Sequence, residues 1–168
     1  MAEGLKQTSS IIAVGFQVTE TGANTFTQGI TDLNLSPLDQ EVFVCLSVNL
    51  DITSPECITA TNTSRVGSIT STSQTAVQNL SNSNCLAAAG KACQGNADGG
   101  NVSFQTALET PPANLPYIGI IATNDFYVQV KGANNVAAGY MSGKIYGYRA
   151  RATAAIYAAL VQSEALSA

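Results

Sequence analysis

The tightest constraint on the fold lies in residues 115–152, LPYIGIIATNDFYVQVKGANNVAAGYMSGKIYGYRARA, where three successive runs carry the residue pattern of β-strands. In residues 117–123, Tyr117, Ile118, Ile120 and Ile121 make the run apolar on both faces, which predicts a central strand. Residues 126–131 alternate, with Phe126, Val128 and Val130 pointing one way and Tyr127, Gln129 and Lys131 the other. Residues 132–135, Gly-Ala-Asn-Asn, have turn composition. The two-residue period resumes over residues 142–150, with Ile145, Gly147 and Arg149 opposed to Lys144, Tyr146 and Tyr148.

The same period recurs upstream. Residues 10–18 predict a first strand, and residues 30–35 a weaker one that turns Leu33 and Leu35 inward. Residues 41–51, EVFVCLSVNLD, predict the best strand of the first half, with Val42, Val44, Leu46, Val48 and Leu50 on one face and Phe43, Cys45, Ser47 and Asn49 on the other. Residues 57–61 and 66–70 read as short strands, and residues 86–89, Leu-Ala-Ala-Ala, as a short helix. A turn at residues 96–100 leads into a strand over residues 102–108, and Pro111-Pro112 imposes an extended link. Residues 151–166 then change period: they are rich in alanine, free of Gly and Pro, and place Ile156, Leu160 and Val161 on one helical stripe.

Seven to nine strands separated by frequent turn signals, with a single terminal helix, predict an all-β chain. The expected fold is an antiparallel β-sandwich, jelly-roll-like, with one C-terminal α-helix. The expected organisation is a flexible N-terminal arm over residues 1–9, one β-sandwich domain over residues 10–151, and the helix over residues 152–166.

Composition narrows the function. Charged residues make up only 11 % of the 168 positions, where an average soluble domain has about 25 %. Ser, Thr, Asn, Gln and Gly take their place, and a net charge of −4 gives little mutual repulsion. Residues 1–60 hold seven carboxylates against Lys6 alone, whereas residues 126–168 hold four cations against Glu164, so opposite ends could attract between neighbouring copies. Beyond Arg149 and Arg151 there is no basic cluster, hence no clear nucleic-acid footprint. The start lacks the pattern of a signal peptide and no apolar run approaches 18 residues, so neither secretory targeting nor a membrane span is expected.

The chain has no histidine, which excludes a histidine-based triad and histidine-ligated metal centres. No phosphate-binding glycine loop is present, and no cofactor is expected. Glu109 and Asp125 are the only carboxylates placed for a glycosidase pair, and Asn96, Asp98 and Gly99 for a calcium loop; neither matches a full pattern, so no catalytic or metal residue is assigned. Asn34, Asn62, Asn79 and Asn101 begin glycan-acceptor triplets of the kind that this composition produces by chance. Four cysteines, Cys45, Cys57, Cys85 and Cys93, show no zinc spacing. A disulfide between Cys85 and Cys93 is expected, with Cys45–Cys57 as the alternative.

By elimination, the expectation is a structural self-assembling subunit whose partners are copies of itself. A small viral capsid protein or a filament subunit fits, made in the cytoplasm and ending in a virion or an extracellular assembly. The expected interface residues are Tyr127, Tyr146, Tyr148, Arg149, Arg151, Ile156, Leu160 and Val161, with the helix crossing a subunit boundary. The alternatives are a secreted or surface carbohydrate-binding β-sandwich module and, after it, a carboxylate-pair glycoside hydrolase.

Overall fold

The computed structural model describes residues 4–105 and 115–167. Ten strands and one helix follow one another: β1 (Leu5–Gln7), β2 (Ile12–Thr19), β3 (Thr27–Asp32), β4 (Glu41–Ile52), β5 (Thr63–Thr70), β6 (Cys85–Gly95), β7 (Asn101–Gln105), β8 (Gly119–Ile121), β9 (Asp125–Ala133), β10 (Tyr140–Ala152) and α1 (Ala154–Leu166). A single 3-10 turn, Pro37–Asp39, precedes β4. The all-β expectation with one C-terminal helix is met.

All pairings are antiparallel and build two five-stranded sheets. In the first, β10 is flanked by β4 and then β8 on one side, and by β1 and β2 end to end on the other. The second runs β3-β9-β5-β6-β7. The partners are nested in sequence: β2 with β10, β3 with β9, β4 with β8, and β5 with β6. Each pair joins the two arms of one long hairpin whose bend lies between β5 and β6.

The faces follow from the alternation, with one important break. Phe126, Val128 and Val130 of β9 and Ile69 of β5 face Phe43, Cys45, Leu50, Met141 and Ile145 of the first sheet, forming the inter-sheet core. Phe16 and Phe126 meet edge to face there, 5.6 Å between ring centres. The single face expected for Val42, Val44, Leu46, Val48 and Leu50 is not found. Register along β10 passes from Ser47 directly to Cys45, so Leu46 is a β-bulge. A one-residue insertion exchanges the faces of a strand. Before it Val42 and Val44 point to the outer face; after it Val48, Leu50 and Ile52 point to the inter-sheet core.

Four other expectations are corrected. The arm over residues 1–9 is not free throughout, because Leu5–Gln7 pair with β10 and Leu5 is buried. The helix expected at residues 86–89 is part of β6, where pairing on both edges with β5 and β7 outweighs the weak preference of alanine for a helix. Only Gly119–Ile121 of the run 117–123 pairs as strand. Arg151 and Ala152 stay in β10, so the helix begins at Ala154. Leu33 and Leu35 are buried as expected, although the strand before them ends at Asp32. The strand expected over residues 102–108 is seen as Asn101–Gln105, and its last residues lie outside the described residues.

The part of the second sheet's outer face around Gln129 is covered by residues 71–84 through uncharged polar groups, while Ile30 and Val66 on the same face are exposed. Gln129, fully buried, donates to Thr70 Oγ1 at 2.6 Å and to Gln28 Oε1 at 3.0 Å, and accepts from Ser68 Oγ at 2.7 Å. Ser68 Oγ in turn accepts the Gln78 N–H, and Asn84 donates to Thr72 Oγ1. Satisfied groups of this kind can be buried at little net cost, whereas one orphaned donor costs about 1–3 kcal/mol.

The disulfide joins Cys57 to Cys93, not the expected Cys85 to Cys93, and Cys45 and Cys85 are free thiols. Cys85 and Cys93 sit at opposite ends of the same extended strand β6, too far apart to bond, whereas the loop before β5 brings Cys57 over the far end of β6. The bond closes a loop 36 residues long, for which chain entropy gives about 4 kcal/mol of stabilisation. Cys93→Ser is therefore expected to lower unfolding free energy by up to about that amount in denaturant titration. Mass spectrometry should find the 57–93 link and two alkylatable thiols after denaturation.

Candidate assembly surface

The outer face of the first sheet is divided by the helix. One half is apolar and covered: Val42, Val44, Ala122, Tyr148, Ala150 and Ala152 form a second core beneath Ile156, Tyr157, Leu160 and Val161 of α1. The helix therefore folds back on its own sheet within the single chain, and Ile156, Leu160 and Val161, expected at a subunit boundary, pack half-buried on that sheet. The bulge at Leu46 supplies the reason, because it turns Val42 and Val44 outward where only the helix can cover them.

A buried carboxylate fastens the helix. Glu164 Oε1 accepts the Ala122 N–H at 3.0 Å and Oε2 the Thr123 N–H at 3.1 Å, two groups just beyond the short strand β8. Burial pushes its carboxyl above the ordinary carboxylate range, outweighing the two N–H bonds. No other charge lies on α1, whose exposed residues include Ala154, Ala155, Ala158, Ala159 and Ala165.

The other half of this face is open. Four rows cross β2, β10 and β4 in register: Ala13–Tyr146–Ser47, Gly15–Lys144–Asn49, Gln17–Ser142–Asp51 and Thr19–Tyr140, the last closed by Thr53. Thr53 Oγ1 donates to the Tyr140 carbonyl and accepts the Tyr140 N–H. Lys144, Asn49, Asp51, Gln17 and Tyr140 are exposed, and Tyr146 is half-buried. The side chains between them, Ala13, Gly15, Ser47 and Ser142, are small.

The expected interface residues are dispersed rather than gathered. Tyr148 is buried under the helix. Arg149 donates through one terminal nitrogen to the Leu33 carbonyl at 2.9 Å, and Arg151 pairs with Asp39 at 2.8 Å on the surface. Tyr127 is half-buried on the outer face of the second sheet, beside Ile30 and Thr70. Only Tyr146 lies on the open half of the first sheet. Tyr140, a tyrosine of the same cluster in the sequence, joins it there with Lys144, Asn49 and Asp51; the last three were not expected, and their common signal is alternation on strands whose pairing the sequence does not give.

The loops at one end form an internal scaffold. Glu20, buried, accepts the N–H groups of Gly132 and Gly139 and lies 3.7 Å from Arg65 Nε. Arg65 donates to the Ser54 and Ala137 carbonyls, and Glu56 accepts the N–H groups of Val136 and Ala137. These groups hold loops together. Burial pushes the Cys45 thiol up to about 12 and raises that of Cys85, so neither is an activated nucleophile. Among the described residues no three His, Cys, Asp or Glu side chains converge on a metal position, and Asp98 is exposed. Asp125 begins β9 half-buried, while Glu109 lies outside the described residues. No helix among the described residues is long and apolar enough to cross a membrane.

No protein-family model, no curated protein and no solved structure matches this chain.

The helix clamp has a pH signature. With its pKa raised in the folded chain, Glu164 binds its proton more tightly folded than unfolded, so its contribution favours folding at low pH. That contribution declines as pH rises from the unfolded carboxylate value through the raised folded one. Thermal melts from pH 4 to 8 should show wild type losing stability relative to Glu164→Gln across that window, with the difference constant above it.

Proposed function

We propose that this chain is a structural self-assembling subunit of a shell, with a small viral capsid protein as the best fit and a filament subunit as the variant form. The observation that carries the reading is the nested pairing of β2 with β10, β3 with β9, β4 with β8 and β5 with β6. A long hairpin wrapped so that its pairs alternate between two facing sheets is the jelly-roll plan, found in viral shells, lectins and cupins. The chain's chemistry supports the first of these. It has no histidine to hold a cupin-type metal, and its free thiols, Cys45 buried and Cys85 half-buried, are both shifted toward the protonated form. Its surface is poor in charge, which lowers the desolvation cost of packing against copies of itself. The location that follows is a virion or an extracellular assembly.

A carbohydrate-binding module is the second reading, favoured by Tyr140 and Tyr146 on an open sheet face with Asn49 and Asp51 beside them. Electron microscopy and light scattering of the purified full chain separate the two. Closed particles or filaments are expected. A monodisperse monomer at every concentration that is retained by a glycan array overturns the shell reading.

A further inference from the structure

We infer that the open half of the first sheet's outer face is a twofold self-contact, whose occupant is a second copy of this chain. The inference deepens the shell reading and rests on it. Its basis is a symmetry in the register about Gly143, which lies between Phe16 and Leu50. One residue to one side stands the row Gly15–Lys144–Asn49, and one residue to the other the row Gln17–Ser142–Asp51. Three residues out stand Ala13–Tyr146–Ser47 and Thr19–Tyr140, closed by Thr53.

When two such faces stack about an axis that runs across the strands at Gly143, each row meets its counterpart. Long side chains then fall on short ones: Lys144 over Ser142 of the second copy and Gln17 over Gly15, which has no side chain and is exposed. Tyr146 meets Tyr140 of the second copy. The charges complement each other as well. Lys144 and Asp51 are both exposed, and the ion pairs among the described residues, Glu20–Arg65 and Asp39–Arg151, leave both out. The stacking brings Lys144 over the row that holds Asp51 of the second copy, one strand away, and symmetry makes the contact twice. An axis along the strands would instead set Lys144 on Lys144, which like-charge repulsion disfavours.

Strand spacing gives the face an extent of about 20 by 14 Å, or about 300 Å² per subunit. That is well below the roughly 800 Å² per partner of a stable complex, so the contact is weak alone and acts as one of several in an assembly. A saccharide fits less well, because the two tyrosines stand about 20 Å apart along β10 and cannot grip one sugar between them.

Charge reversal tests the pairing. Sedimentation velocity over a concentration series at low salt, with electron microscopy of the products, compares wild type, Lys144→Glu, Asp51→Lys and the double swap. Each single reversal is expected to weaken self-association at least ~10-fold, and the double swap to restore it. Circular dichroism melts confirm that these surface variants fold. Wild-type-like assembly of both single variants, or a double swap no better than either, overturns the contact while leaving the shell reading intact. A wild type that stays monomeric overturns both. Glycan capture by that monomer, lost in Tyr146→Ala, would assign the face to a saccharide instead.

Discussion

Strand β10 is paired on both edges over most of its length, against β1 and β2 on one side and β4 on the other, with Arg149 bonded to Thr8 and Ser9 in the gap between β1 and β2, and that pairing sets where the other layers sit. Its inward residues, Met141 and Ile145, close the inter-sheet core. Its outward residues belong to two environments: Tyr148, Ala150 and Ala152 lie under the helix, while Ser142, Lys144 and Tyr146 lie on the open face. Glycine at position 147 permits this crossing of layers. A Cβ there would fall on the Val44 carbonyl and the Phe43 ring, so the close approach of β10 to β4 beside the bulge requires its absence.

The bulge at Leu46 links sequence to layer order. Without it Val42 and Val44 would share a face with Val48 and Leu50, and Phe43 and Cys45 would take the opposite face. With it, the start of β4 is apolar on both faces and a third layer becomes necessary, since Val42 and Val44 would otherwise face water at roughly 1.5–3 kcal/mol each. The alanine-rich helix meets that need, and the turn at Thr153 leads it directly back over the sheet from which it emerges. Glu164 then fixes its far end to the backbone at Ala122 and Thr123, making the last turn part of the fold rather than a frayed terminus.

Much of the strand content was legible, because alternation is a local property. β2, β4, β9 and β10 lie close to where the period of two places them, and Phe126, Val128 and Val130 face inward as their spacing requires. What was illegible depends on partners. The bulge leaves no mark in EVFVCLSVNLD, since either face assignment satisfies the same letters. The alanines of β6 favour a helix until two flanking strands claim their backbone. Cys57 reaches Cys93 only because a loop crosses the end of β6. Among the candidate surface residues, Tyr146 was legible as a half-polar aromatic on a strand. Tyr140 was legible in the same way, but Lys144, Asn49 and Asp51 were not, because they become neighbours only through the register of three strands.

The low charge of the chain takes on a structural meaning in this frame. Buried polar positions such as Gln129, Ser68 and Thr70 are uncharged and bonded to one another, so this part of the second sheet's outer face is covered without ions. Two of the buried charges, Glu20 and Arg65, hold loops. The free charge on the first sheet's open half is confined to Lys144 and Asp51. A face with two opposite charges and otherwise small or neutral side chains carries little desolvation penalty, yet it still distinguishes one stacking direction from another. In the proposed self-contact, weak attraction with a defined orientation would let each contact open readily while many together hold.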